Sequence, residues 1–191
     1  MNPSFTIFTG PMFGSKTTRL MAEIDRSLYK GRKVLAFKAK RDDRYSIDKI
    51  STHSGGSYPA VCIEDAKEIL THLKKDDYNP KTLIAVDEAF MISNIASVLI
   101  SLYRNNVSIV LSSIQLDANE VPFLSIKEIM PFATKIEVCP AVCTKCDSDA
   151  YFTEAMFDIN SATEKEKVGS KGMYEPRCAT HYTTFKIKKE S

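Results

Sequence analysis

Three groups of residues in this chain have types and spacings that can do chemistry. The first is Gly10-Pro11-Met12-Phe13-Gly14-Ser15-Lys16-Thr17-Thr18, directly after the apolar run FTIFT. A glycine-bearing turn between a strand and a helix aims backbone N–H groups and the helix dipole at an anion, which makes it a phosphate loop. Lys16 then reaches the β/γ-phosphates of a nucleoside triphosphate, and the Thr17 hydroxyl ligates Mg²⁺. The usual pattern places glycine directly before the lysine; here Ser15 stands there and the glycine sits at 14. A serine held at positive φ costs about 1 kcal/mol. The second group is Asp87-Glu88 at the end of the apolar run Leu83-Ile84-Ala85-Val86. Asp87 belongs in the Mg²⁺ shell, and Glu88 points at the reacting centre as general base for a hydroxyl nucleophile. The third is Cys143-x-x-Cys146 with Cys178-x-x-His181. Three thiolates and an imidazole at these spacings make a closed, structural Zn²⁺ site. Cys139 is a rival ligand, set apart by a three-residue gap that contains Pro140; Cys62 reads as packing.

These groups need elements to hold them. Ser4 to Thr9 reads as a strand, and Lys16 to Lys30 as a helix with Leu20, Met21, Ile24 and Leu28 on one face and Gly31 at the C-terminal cap. Lys33 to Ala39, Thr82 to Val86 and Val107 to Ser112 read as strands. Ala66, Ile69, Leu70 and Leu73 mark one further amphipathic helix, and Ile95, Val98, Leu99 and Leu102 another. Strands alternating with helices predict an α/β fold of the P-loop NTPase type, a mainly parallel sheet flanked by helices on both faces. Past Cys139 the texture changes to Cys pairs, short polar stretches and Gly169/Gly172. The expected division is a P-loop α/β domain over 1–138 and a small zinc-binding module over 139–191. Its two ligand pairs stand 31 residues apart, room for a loop pinned at its base by metal.

The chain has 191 residues, 26 basic against 24 acidic, net +2, with 43% hydrophobic residues. That is ordinary globular composition, and the charge gives no polyanion-binding stripe, so no nucleic-acid partner is expected. No apolar run approaches the roughly 18 residues that span a bilayer. The N-terminus lacks a charged leader and cleavage signal. A cytoplasmic location is therefore expected, with no membrane partner, and five cysteines kept reduced.

Taken together the motifs resemble those of the type II thymidine kinases, over nearly the whole chain. Gly10-Pro11-Met12-Phe13 is similar to the family's GPMF opening. Asp43-Arg44-Tyr45 with Thr52-His53-Ser54-Gly55 resembles its D-x-R-Y…T-H-x-G segment, and Val86-Asp87-Glu88-Ala89 its DEAQ box. Leu116-Asp117 and Pro122-Phe123 resemble the borders of its lid. Cys143, Cys146, Cys178 and His181 match its zinc ligands, and Val168-Gly169 through Met173-Tyr174-Glu175 its lasso loop.

The resemblance implies transfer of the γ-phosphate of ATP to the 5′-hydroxyl of thymidine, giving dTMP and ADP. It implies Glu88 as base, Gly10 to Thr17 on the phosphates, Thr17 and Asp87 on Mg²⁺, and Arg44 near the reacting groups. It implies Met12, Phe123, Thr153, Val168, Gly169 and Tyr174 around the nucleoside, a homotetramer, and feedback inhibition by dTTP. The chain departs from the family at Ser15, at Phe90 in place of the Gln of the DEAQ box, at Ala155 in place of an Arg, and in a shortened lid without its Phe and Arg. Those departures keep two alternatives open: a weak or inactive nucleotide-binding homologue, and a kinase with an altered nucleoside preference.

Overall fold

The apolar runs fold as strands of one sheet in a computed structural model that describes residues 2–40, 48–52, 55–157 and 172–183. In chain order the elements are β1 (Phe5–Thr9), α1 (Lys16–Tyr29), β2 (Lys33–Ala39), β3 (Lys49–Ser51), β4 (Ser57–Pro59), β5 (Val61–Ile63) and α2 (Lys67–Thr71). Then come β6 (Thr82–Asp87), α3 (Ile95–Arg104), β7 (Ser108–Ser113), α4 (Leu124–Ile129) and β8 (Lys135–Val138). Four short strands follow: β9 (Ala141–Val142), β10 (Asp149–Ala150), β11 (Phe152–Ala155) and β12 (Tyr174–Arg177).

The main sheet has six strands in the order β5-β2-β6-β7-β1-β8. Every pairing in it is parallel. All strands therefore end on the same edge, which brings Thr9, Asp87 and Ser113 there together. Both faces are covered. Leu20, Met21 and Ile24 of α1 pack on Phe8, Ala36, Leu83, Ala85 and Val110. Phe5, Ile7, Phe37, Ile84, Val86, Ile109 and Leu111 point the other way, against apolar residues of α2, α3 and α4. Strands buried on both faces read as continuous apolar runs, as β6 and β7 do. The expected α/β fold with a mainly parallel sheet is what forms.

Helix α1 stops where Gly31 permits it. Gly31 adopts φ 66°. Its N–H donates to Leu28 O (2.8 Å), and the Arg32 N–H donates to Ser27 O (3.0 Å). This paired closure satisfies carbonyls that the helix end leaves open. Two details differ from expectation. Leu28 is 42% exposed, and Ser27 takes the buried position beside Ile24. The amphipathic segment at 66–73 condenses to the five residues of α2, with Leu70 exposed. A one-turn helix cannot bury four apolar positions on one face.

After Val138 the chain leaves the six-stranded sheet. β9 pairs antiparallel with β10, and β11 with β12. Among the described residues their buried apolar cluster holds Ala141, Cys143, Ala150 and Cys178, with Tyr174 and Tyr182 also buried. No helix among the described residues is long and apolar enough to cross a membrane.

Candidate functional site

The turn after β1 is shaped by a strand that lies far away in sequence. Cys139 follows β8, and its N–H donates to Thr9 O (2.7 Å). The Cys139 carbonyl then lies directly under the turn. A Cβ at Gly10 or Gly14 would sit 2.3 or 2.4 Å from that oxygen, so both positions require glycine. Gly10 also has φ 137°. Gly14 serves close approach, and the left-handed position passes to Ser15, at φ 56° and ψ 24°. Cys139 itself is buried among the α1-facing core residues, apart from the other four-residue thiol and imidazole group.

Ser15 occupies the N-cap of α1, and its side chain makes no capping bond. The Ser15 hydroxyl therefore does not compete with an anion at the N-terminus of α1. Lys16 is buried, and its ammonium donates to the Pro11 carbonyl, curling back over the loop. The Met12 N–H donates to Thr153 Oγ1 (3.0 Å), tying the loop to β11. Replacing Ser15 by glycine removes the left-handed penalty of about 1 kcal/mol. The expected outcome is a melting temperature higher by about 2–4 °C and ATP affinity equal or better in calorimetric titration. A large loss of affinity would mean that the hydroxyl itself serves the site.

The acidic pair ends β6 beside this turn. Thr17 Oγ1 donates to the Asp87 carboxylate, 3.1 Å from Oδ1 and 3.4 Å from Oδ2. The Ser112 hydroxyl of β7 donates to the same Oδ1. Asp87 is 5% exposed. Glu88 is half-buried, its backbone turned to φ 51° and ψ 46°, and its N–H donates to Ser112 Oγ (3.4 Å). Ser112 was missed in the sequence; the sign available was a pair of small polar residues closing an otherwise apolar strand. Next along the edge, Phe90 packs against Phe123 with ring centroids 4.7 Å apart. Tyr174 is buried on β12 with its ring edge-on to Phe157 at 5.4 Å. Burial, with Asp117 adding to it, pushes the Tyr174 phenol above its ordinary range. Arg44, His53, Val168 and Gly169 lie outside the described residues.

The third group closes as its spacing requires. The ligand atoms of Cys143, Cys146, Cys178 and His181 all lie within 4.8 Å of one another. Cys146 Sγ is 3.7 Å from Cys178 Sγ, and His181 Nδ1 is 3.4 Å from Cys178 Sγ and 3.8 Å from Cys143 Sγ. A tetrahedron with Zn–S arms of about 2.3 Å has edges of about 3.8 Å. The set therefore fits zinc in donor chemistry and in size. Burial works to raise the Cys143 thiol, but the backbone N–H groups of Cys178 and Lys145, with His181 and Cys146, bring it down to about 6.

A buried cation braces the module, and sequence reading missed it because Arg177 looks like any polar neighbour of a ligand. The Arg177 side chain is 1% exposed. Its Nε lies 2.6 Å from Glu154 Oε2, and its Nη1 lies 2.6 Å from Glu175 Oε2. Nη1 also donates to the hydroxyl of Thr144, inside the first ligand pair. For Glu154, burial favours the neutral form. Donation from the Thr183 hydroxyl and N–H, with the Arg177 charge, outweighs this and holds the carboxyl below its usual range. A depressed carboxylate gives stability that is complete above the unfolded value of about 4.3 and lost as pH falls through the folded value. Melting temperature should therefore be flat near neutrality and fall below about pH 4.3. Glu154→Gln removes one carboxylate from Arg177 and leaves Glu175 in place; it should cost about 2 kcal/mol at pH 7, and should show a shallower acid fall in the same scan.

A parallel sheet with a glycine turn feeding α1, an acidic pair beside it and a Cys₃His cluster defines a P-loop-like α/β protein with a metal-binding appendage. A family model described as thymidine kinase matches residues 4–182. A thymidine kinase of Onion yellows phytoplasma (strain OY-M) is 29% identical over 188 residues, spanning 96% of this chain and 88% of that relative. The chain belongs to the thymidine kinase family.

Proposed function

We propose that this protein transfers the γ-phosphate of ATP to the 5′-hydroxyl of thymidine, giving dTMP and ADP for nucleotide salvage. Family membership supports thymidine phosphorylation. The observation that carries the finer reading is the contact of Thr17 with Asp87 at the N-terminus of α1, with Glu88 the next residue along.

In this reading the loop of residues 10–17 holds the triphosphate, through the backbone N–H groups at Ser15, Lys16 and Thr17 and the Lys16 ammonium. Lys16 exchanges the Pro11 carbonyl for phosphate oxygens. Thr17 and Asp87 offer hard oxygens 3.1 Å apart, and two adjacent oxygens in an octahedral Mg²⁺ shell of about 2.1 Å arms lie about 3 Å apart. Such an ion neutralises charge on the phosphates. Ser112 fixes the Asp87 carboxylate from the other side. Glu88 accepts the proton of the 5′-hydroxyl as that oxygen attacks the γ-phosphorus, and the bond to the β-phosphate oxygen breaks toward ADP. Met12, Phe123, Thr153 and Tyr174 line the nucleoside end. Residues 1–138 form the kinase domain and 139–191 the zinc-binding module. The family resemblance further supports a homotetramer, inhibition by dTTP and a cytoplasmic location.

Ser15 at positive φ and the Phe90–Phe123 pair support a second reading, a homologue with weak turnover or a shifted nucleoside preference. Labelled phosphate transfer from Mg-ATP to thymidine, deoxyuridine and deoxycytidine decides between them. The proposal expects thymidine to be the preferred acceptor. Binding of dTTP without transfer to any nucleoside would overturn it, and preferred transfer to deoxycytidine would replace thymidine as the substrate.

A further inference from the structure

The segment between β7 and α4 is a tight, self-braced turn. Leu116 bridges to Pro122. The Asp117 N–H donates to Val121 O (2.9 Å), and Asp117 Oδ1 accepts from the N–H groups of Asn119 and Val121 (2.8 Å each). Its base is fastened to both motifs of the site. Thr9 Oγ1, just before Gly10, donates to Gln115 Oε1 (3.1 Å), and the Phe123 N–H donates to Gln115 O (3.2 Å). Phe123 in turn packs on Phe90, two residues past Glu88.

The tip of the turn is held from outside. The Tyr182 hydroxyl donates to the Ala118 carbonyl, and both residues are buried. Tyr182 directly follows His181. Its ring stacks on Phe152 of β11 (centroids 5.1 Å, planes 24° apart), and its N–H donates to Cys178 O (3.0 Å). The metal-binding group therefore reaches the turn in one covalent step and one hydrogen bond.

We propose that Tyr182 is a positioning residue: it docks the 116–122 turn onto the metal-binding module, so that metal held by Cys143, Cys146, Cys178 and His181 fixes the wall of the site that Phe123 presents to the nucleoside. The nucleoside part rests on the kinase reading above; the docking part stands on the contacts alone. A buried carbonyl that loses its donor is left at a cost, so the turn separates from the module when the hydroxyl is removed. A turn this short, tied at three points, works as a fixed wall rather than a swinging flap.

The test is Tyr182→Phe in the full chain loaded with zinc, which keeps the ring on Phe152 and removes only the hydroxyl. Hydrogen exchange should accelerate about 10-fold at the amides of Asn119 and Val121, with β6 and β7 unchanged. Zinc content should stay at that of the unaltered chain. The thymidine KM should rise about 5-fold, with kcat and the ATP KM within about 2-fold. Removing zinc from the unaltered protein with a chelator should accelerate the same amides. Unchanged exchange in the variant, or full protection of those amides after chelation, would overturn the proposal. Loss of zinc from the variant would overturn it too, because the hydroxyl would then serve the module itself. Faster exchange with no thymidine turnover in the unaltered enzyme supports the docking and removes the kinase reading alone.

Discussion

Glu88→Gln should lower the turnover of thymidine phosphorylation by about 10³-fold, within the 10²–10⁴ range for loss of a general base. The residue sits where the chain stops being a strand. β6 ends at Asp87, Glu88 turns to positive φ, and Ala89, fully buried, anchors the next turn. Glutamine matches glutamate in shape and suffers the same backbone cost, so the variant should fold and melt within about 1 °C of the parent. What it lacks is a place for the proton of the 5′-hydroxyl. Binding of thymidine and ATP should therefore stay within about 2-fold, and the loss should fall on kcat. Rapid-quench turnover beside calorimetric titration separates the two. Retained turnover in Glu88→Gln would place the base elsewhere and leave Glu88 an electrostatic neighbour of Asp87.

The other large effect concerns metal. The module after Val138 has two pairs of short strands and an apolar cluster whose members are Ala141, Cys143, Ala150 and Cys178. So small a cluster among the described residues, even with the buried Tyr174 and Tyr182 rings, offsets little of the segment's conformational entropy. Structural zinc contributes about 10–16 kcal/mol in small domains that depend on it. Cys178→Ala, or chelation of the unaltered protein, should therefore release the zinc and open residues 139–157 and 172–183 to limited proteolysis. The sheet has its own core on both faces, so fragments ending near Val138 should persist. Zinc content by atomic absorption and cleavage sites by mass spectrometry give the result. A protein that purifies without metal and resists protease equally before and after chelation would refute the assignment. The loss should also reach the phosphate loop, because Thr153 of β11 accepts the Met12 N–H. Weaker ATP binding after chelation is the corollary.

The departures at Ser15 and Phe90 have different consequences. At Ser15 the sequence expectation of a strained residue before the lysine is met by φ 56°. The role expected for glycine is divided: Gly14 makes room for the Cys139 carbonyl, while Ser15 carries the left-handed turn. At Phe90 the family's amide is replaced by a ring that packs on Phe123. That contact exchanges a hydrogen-bonding edge for an apolar one at the same end of the sheet.

What the sequence determined by itself was local. Apolar runs of the right length gave β1, β2, β6 and β7; glycine at 31 ended α1; and paired two-residue spacings made the Cys₃His group, because two ligands on one tight turn can meet an ion before anything else folds. The tertiary structure decided everything that depends on which strand lies beside which. Only the order β5-β2-β6-β7-β1-β8 puts Ser112 against Asp87 and Cys139 under Gly10 and Gly14. Only the docking of the last described residues puts the Tyr182 hydroxyl on Ala118. Local pattern fixes a residue's conformation and the face it shows, whereas contacts between residues 25 or more apart follow from strand order and packing, which no periodicity within a single segment encodes.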